Sequence, residues 1–553
     1  MDKDGLRLMA LSAPHWVKKG TAESNSLNSW SPFSLQNAVR LAAGRALSGE
    51  GYLGQSNWSS KEGLRDTVFM MEYWEEEKKK LEQKLRESRP HVLFIGAMTL
   101  AFPGAIQVAR LAKEILGEEV LIVLGGKHSN ETFFEERKSQ SEPQTSEVKA
   151  LKNTKGSPLS LIESGKIDNI FDLVCSGSSE ELIATIAERV GELVAQGLNP
   201  REVRSEIESL VKVIPGDWRA GWVESGGIKQ FQSNKIPINF NEMPIPAELF
   251  GINGKFEVYG RDLTAHAFSD TSPGCVFDCF FCSERNTLNG PLHDREHSAD
   301  RLFRQLKAIK DVANKENSTD SVSVFVEDST LLNIGKNPTQ LYRLADLMRA
   351  ESFKISFGGQ FTIDQILDPE IQEAILVLKE FGLSYVFLGI ETGDNEIAKQ
   401  MSKNLEKDSG WTDKNEQAMF FLQEAGINCG AAVLLGLGEN QETRVEQLDR
   451  IKDWQRRFGQ PVVVSLNLAT IHPSRDEGLD EEFIEWGTPA DSPYLEMFQK
   501  IFGEASTRYA IDKEHLPSLS ELAEIKEKYR ELELHQENRS EPISILENKT
   551  KFN

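Results

Sequence analysis

Short apolar runs alternate with helical patterns along most of this chain, and that alternation constrains its fold more than any other feature. Residues 91–97 (HVLFIGA) and 120–124 (VLIVL) place apolar side chains at successive positions. A strand covered on both faces requires this; a strand with one wet face alternates instead. Residues 6–13 and 171–175 read as further strands. Pro103 opens a helical pattern through Leu116, and another begins near Glu180. Helical spacing also appears at 34–47 and 60–87. Strands separated by helices are joined by crossovers, so residues 1–205 are predicted to form an α/β, doubly wound parallel sheet.

Two stretches break the rhythm. Residues 130–165 are rich in Ser, Lys, Glu and Gln and read as a mobile insertion. Residues 206–262, with Pro237, Pro244 and Pro246, read as a linker between domains. A second βα series then occupies 263–480. Its strands are predicted at 265–269, 322–327, 354–357, 385–390, 427–437 and 462–469. Its helices are predicted at 300–313, 339–350, 369–381, 415–425 and 441–458. Six such units suggest a partial (β/α)6 barrel, whose functional face lies at the C-terminal strand ends. Residues 481–553 read as a charged helical region.

The chain has five cysteines, and three of them, Cys275, Cys279 and Cys282, are spaced C-x3-C-x2-C. They follow the first strand of the second series. An odd, clustered set argues for metal ligation rather than a disulfide framework. Three thiolates can hold three corners of a cubane iron–sulfur cluster and leave one iron open. A zinc site is the alternative, with His293 or His297 as a fourth ligand. Such sites usually show a second cysteine pair, and none is present.

This motif, with an aromatic residue (Phe281) before its last cysteine, resembles the signature of the radical S-adenosylmethionine (SAM) superfamily. The resemblance implies a [4Fe-4S] cluster on Cys275, Cys279 and Cys282. It also implies SAM chelated to the open iron and cleaved to a 5′-deoxyadenosyl radical, with an external electron donor of flavodoxin or ferredoxin type. F-L-G-I-E-T at 387–392 resembles the fourth-strand region of the branch that includes cobalamin-binding members, so Glu391 inherits a SAM contact. Glu327 or Asp328, after the second strand, stands where that superfamily often carries an acidic SAM contact. Gly436, in V-L-L-G-L-G-E, resembles the adenine-side glycine motif. His472, after the sixth strand, is a candidate substrate contact.

The N-terminal series resembles the cobalamin-binding, Rossmann-like domain that precedes many radical SAM barrels. Gly125, Gly126 and His128 match its G-G-x-H turn, and Gly177 falls in its last turn. The D-x-H-x-x-G motif that supplies a histidine to cobalt is missing; residues 98–104 read MTLAFPG. The implied activity is cobalamin-dependent methyl transfer to an unactivated carbon of a small-molecule or peptide substrate. The alternatives are a cobalamin-free radical SAM reaction and, from another class, a zinc-stabilised binding module. A methylthiotransferase needs three further cysteines upstream, where this chain has only Cys175.

Net charge excludes some partners. With 63 basic and 86 acidic residues, the chain carries −23 and repels phosphate backbones, so nucleic acid is not an expected partner. Spanning a bilayer takes about 20 uninterrupted apolar residues. Residues 92–106 are the longest apolar stretch and are broken by Gly96, Thr99, Pro103 and Gly104. The expected location is the cytoplasm.

Overall fold

A computed structural model describes residues 6–14, 68–71, 73–135, 150–238, 295–316, 321–406, 409–474, 476–484 and 509–537. Between 245 and 284 it describes all but 246, 249, 250, 253, 256, 260, 261, 268, 270–274 and 276. The described residues up to 250, with those of 471–487, form one compact unit; those of 251–470 and from 488 onward form another.

In the first unit the strands are β1 (Leu8–Ser12), β2 (Val68–Met70), β3 (Val92–Gly96), β4 (Leu121–Gly125), β5 (Phe133–Glu135), β6 (Leu151–Asn153), β7 (Leu173–Gly177), β8 (Trp218–Glu224) and β9 (Gly227–Gln232). Seven of them make one sheet in the order β2-β1-β3-β4-β7-β8-β9. The first five in that order run parallel, and β8 and β9 add an antiparallel edge. The uninterrupted apolar runs are explained by two cores. Met9, Leu11, Leu93, Ile95, Ile122 and Leu124 face one, while Leu8, Ala10, Val92, Phe94, Leu121 and Val123 face the other. Each fully buried side chain of this kind contributes about 1.5–3 kcal/mol of transfer free energy.

Four expectations are corrected. Residues 60–87 are not one helix, because β2 lies at 68–70 and the helix is Trp74–Ser88. The stretch 130–165 is largely built into the unit. Lys127–Thr132 is helical, β5 and β6 pair, and Pro158–Glu163 is a helix capped by Ser157, whose Oγ accepts the Leu159 N–H. Leu159, Leu161 and Ile162 are buried in the core, which a polar-composition reading overlooks. Residues 136–149 and the helix expected at 34–47 lie outside the described residues. The linker expected at 206–262 contains the β8–β9 hairpin. Trp218, Ala220 and Trp222 alternate inward from β8, and the E-S-G-G turn at 224–227 closes the hairpin. Lastly, the barrel series was expected to run to 480, whereas the described residues of 471–484 group with the first unit.

In the second unit the strands are β10 (Gly254–Lys255), β11 (Leu263–Ala267), β12 (Val322–Val326), β13 (Ser356–Phe361), β14 (Leu383–Glu391), β15 (Asn428–Leu435) and β16 (Val463–Leu468). They pair in chain order; β10 is antiparallel to β11, and β11 to β16 are all parallel. The crossover helices include Ser298–Glu316, Thr339–Ala350, Pro369–Lys379, Trp411–Ala425 and Gln441–Phe458. The last starts at Asn440, whose Oδ1 accepts the Thr443 N–H at 2.9 Å, and stops at Gly459. Six parallel strands with one helical layer of crossovers make an α/β half-barrel sheet, with every C-terminal strand end on one edge. Among the described residues no helix is long and apolar enough to cross a membrane.

Gly177 supplies a test of the first unit. Its φ is +76°, and an added Cβ would fall 2.0 Å from the Asp217 carbonyl oxygen. Asp217, the residue before β8, therefore leaves no room for a side chain here. Gly177→Ala is expected to lower the denaturation midpoint, at a cost of about 3 kcal/mol for backbone strain and displacement. Chemical denaturation followed by circular dichroism measures it.

Candidate functional site

The C-terminal edge of the second unit's sheet collects the sequence-predicted residues. Cys275, Cys279 and Cys282 follow β11, Glu327 and Asp328 follow β12, Glu391 ends β14, and Gly436 follows β15. Parallel strands bring these together although they are more than 160 positions apart in the chain.

The cysteine loop is tightly turned. The Cys282 N–H donates to the Cys279 carbonyl at 3.1 Å. Two backbone N–H groups point at sulfur: Phe277 at Cys275 Sγ (3.5 Å) and Glu284 at Cys282 Sγ (3.3 Å). Such donors stabilise thiolate charge in iron–sulfur sites. Burial pushes the Cys275 thiol up to about 11, with Cys279 adding to the rise and the Phe277 N–H and Lys403 opposing it. A thiol so placed keeps its proton until a cation replaces it. Among the described residues no three His, Cys, Asp or Glu side chains stand close enough together to hold a metal ion as placed. The donor set still fits an iron–sulfur cluster in type: three soft thiols on one loop, with amide donors on two of the sulfurs.

Beside this loop lies Lys403, in the K-Q-M-S-K-N stretch at 399–404, to which the sequence assigns no role of its own. Lys403 is 8% exposed and pairs with Glu391, itself 7% exposed. The ammonium also donates to the Gly389 carbonyl at 3.1 Å and stands 5.8 Å from the centre of the Phe281 ring. Burial lowers the Lys403 pKa, but Glu391, Cys279 and Cys282 outweigh it and hold the pKa above the usual lysine value. Gly389 makes the pair possible, since a Cβ there would lie 2.2 Å from Glu391 Oε1 and 2.3 Å from Lys403 Nζ. Glu391 has φ +61°, a strained conformation for a non-glycine residue. The neighbouring Ser402 accepts the Asp278 N–H and sits 3.8 Å from Cys279 Sγ. The signal was legible in G-I-E-T followed twelve residues later by lysine, but only the fold shows that the two meet.

The remaining predicted residues divide by role. Glu327 pairs with His266 on the adjacent strand. Asp328 commits both oxygens to backbone: Oδ1 accepts the Ser269 N–H at 2.9 Å and Oδ2 the Leu332 N–H at 3.0 Å. The Gly436 N–H donates to Glu439 Oε1 at 2.6 Å, and the buried Glu439–Arg444 pair (2.8 Å) holds this loop. That pair was also missed, because a buried ion pair looks like surface charge in sequence.

In the first unit, Gly125 ends β4 and Gly126 packs against Ala97, whose backbone nitrogen would lie 2.6 Å from an added Cβ. His128 is 0% exposed. Its Nδ1 meets Thr99 Oγ1 at 3.3 Å, its Nε2 meets the Gly156 carbonyl at 3.1 Å, and Phe102 stacks on its ring at 4.0 Å. Burial lowers its pKa to about 3, so it is neutral. His128 is thus buried within the short helix Lys127–Thr132 that follows the C-terminal end of β4. His472 lies beyond β16 among residues of this unit.

Cys175 and Cys429 are buried. Burial pushes Cys175 up to about 12 and raises Cys429 further from its usual range. Cys175→Ser and Cys429→Ser proteins, reconstituted with iron and sulfide, are expected to bind as much iron as the parent. Elemental analysis checks this, and lost iron would reveal a second metal site.

Comparison with known proteins adds the following. Residues 270–451 match the family described as the Radical SAM superfamily. A putative methylthiotransferase of Methanocaldococcus jannaschii is 22% identical over 40% of this chain and 46% of its own length. An uncharacterized methyltransferase of Pyrococcus horikoshii is 22% identical over 66% of this chain and 64% of its own. The hopanoid C-3 methylase of Methylococcus capsulatus is 23% identical over 37% and 34%. The chain spans between 34% and 64% of the length of such curated relatives. Among solved structures, the cobalamin-dependent SAM radical enzyme OxsB with aqua-cobalamin bound is similar at 15% identity and a TM-score of 0.47, covering 81% of this chain and 52% of its own.

Proposed function

We propose that this chain is a radical SAM enzyme, with a [4Fe-4S] cluster on Cys275, Cys279 and Cys282 and SAM at the C-terminal ends of β11 to β15. We further propose that it is a methyltransferase, with cobalamin on the first unit. The observation that carries the first reading is the placement of the cysteine loop. It follows the first parallel strand and is fastened through Ser402 to the segment that also positions Glu391. When bound, the cluster supplies the electron that splits SAM into methionine and a 5′-deoxyadenosyl radical.

The chain's own residues divide the binding task. Three cysteines leave one iron of a cubane without a protein ligand. Glu391 is fixed by Lys403, ready to accept a hydrogen bond from SAM. Of the two acids after β12, Asp328 shapes its loop through backbone N–H groups, which leaves Glu327 as the SAM-side acid, oriented by His266. The Gly436 turn, held by Glu439, suits the adenine side. Burial of these groups limits water around a reactive radical.

The cobalamin assignment draws support from the parallel sheet of the first unit and from the strand-end loops after β3 and β4. Bound cobalamin supplies a methyl group. The burial of His128 and its contact with the Gly156 carbonyl support a cobalt without a histidine ligand. A specific observation favours the cobalamin-free alternative. The space beside Gly126 and Gly177 is filled by Ala97 and Asp217 of the chain itself. A methylthiotransferase is disfavoured, because the cysteine upstream of the motif is the buried Cys175 on β7.

Two outcomes test these readings. Changing Cys275, Cys279 or Cys282 to Ala should abolish both the cluster absorbance and 5′-deoxyadenosine formation, measured by ultraviolet–visible spectroscopy and chromatography. A full cluster in any of them contradicts the ligand assignment. The parent chain should bind cobalamin, and the Co(II) form should lack nitrogen hyperfine splitting in its electron paramagnetic resonance spectrum. No corrin binding with SAM cleavage intact selects the cobalamin-free reading.

A further inference from the structure

Resting on the cluster assignment above, we infer that Lys403 is the fixed cation that sets the reduction potential of the cluster held by Cys275, Cys279 and Cys282. Three placements carry this. First, the ammonium is buried, although a lysine side chain normally extends its charge into water. Second, the residues around it are those of the cysteine loop. Its nitrogen lies 5.8 Å from the ring centre of Phe281, the residue before Cys282. Ser402, the residue before Lys403, accepts the Asp278 N–H and stands 3.8 Å from Cys279 Sγ. Third, the charge cannot wander. Glu391 and the Gly389 carbonyl hold it at the end of β14, in space that exists because Gly389 has no Cβ.

Reduction adds one electron, taken from an external low-potential donor, and so adds one negative charge to the cluster. A nearby cation in a poorly screened pocket stabilises the reduced form more than the oxidised form, which raises the potential. Glu391 fixes the position of the ammonium, and its own negative charge offsets part of the effect. A lysine whose role was only to satisfy Glu391 would leave the potential unmoved when both partners are neutralised together.

The test is a redox titration of the full chain, reconstituted anaerobically without SAM, reduced with dithionite and followed by electron paramagnetic resonance. Lys403→Met should retain iron but show about a tenfold lower ratio of reduced to oxidised cluster at a fixed potential, about 59 mV more negative for one electron. Lys403→Arg keeps the charge and should keep the parent potential. Should Lys403→Met alone fail to fold, because Glu391 is left buried and unpaired, the same substitution is made in the Glu391→Gln protein. It is then compared with Glu391→Gln alone, and the same tenfold fall is expected. An unchanged potential in that comparison, or in Lys403→Met itself, overturns the inference and leaves the radical SAM reading standing. A parent chain that takes up no four-iron cluster overturns the reading beneath it as well.

Discussion

Parallel strands cannot be joined by tight turns. Each return to the sheet takes a crossover, and each crossover delivers the next strand in the same direction. In the second unit this happens from β11 through β16, so every strand releases its chain at the same edge. Residues from 266 to 439 are thereby gathered along one rim. Each of β14 to β16 keeps at least one face buried, and that burial holds the strand ends in register along the rim.

On that rim the arrangement turns on one buried pair. Desolvating Lys403 and Glu391 is costly, and a pair of this kind is a poor device for stability alone. Its surroundings explain its retention better than an energy sum does. Gly389 clears the space, β14 bulges against β15 between Gly389 and Glu391, and Glu391 takes a positive φ. Strain, a missing side chain and a buried charge at one place are features that structure alone would not select together. They are intelligible if a charged group must be held beside the cysteine loop.

Legibility in the sequence followed the strength of the local signal. Apolar runs and helical periods placed β11, β12, β14, β15 and β16 within two residues at each end, and Thr339–Ala350 and Gln441–Phe458 at their full length, while β13 runs four residues past its predicted end. The cysteine spacing was legible because it is local. Roles that depend on distant neighbours were not. His128 reads as a ligand-facing turn residue, yet Thr99, Gly156 and Phe102 close around it. Gly177 reads as a ligand-approach glycine, yet Asp217 claims the space. Lys403, Glu439 and Arg444 receive no role from the sequence, because nothing in a linear pattern marks which charges are buried. The β8–β9 hairpin was passed over for another reason. Its period-two alternation was present in WRAGWVE, but the prolines downstream suggested a linker.

The most direct measurement is the electron paramagnetic resonance spectrum of the reduced, reconstituted parent chain before and after adding SAM. Three cysteine ligands leave one iron open, and a small molecule that binds there changes the electronic environment of the cluster. The account predicts a reduced [4Fe-4S] signal whose line shape shifts on adding SAM. A signal identical with and without SAM, or tightly bound zinc in place of iron, would contradict it.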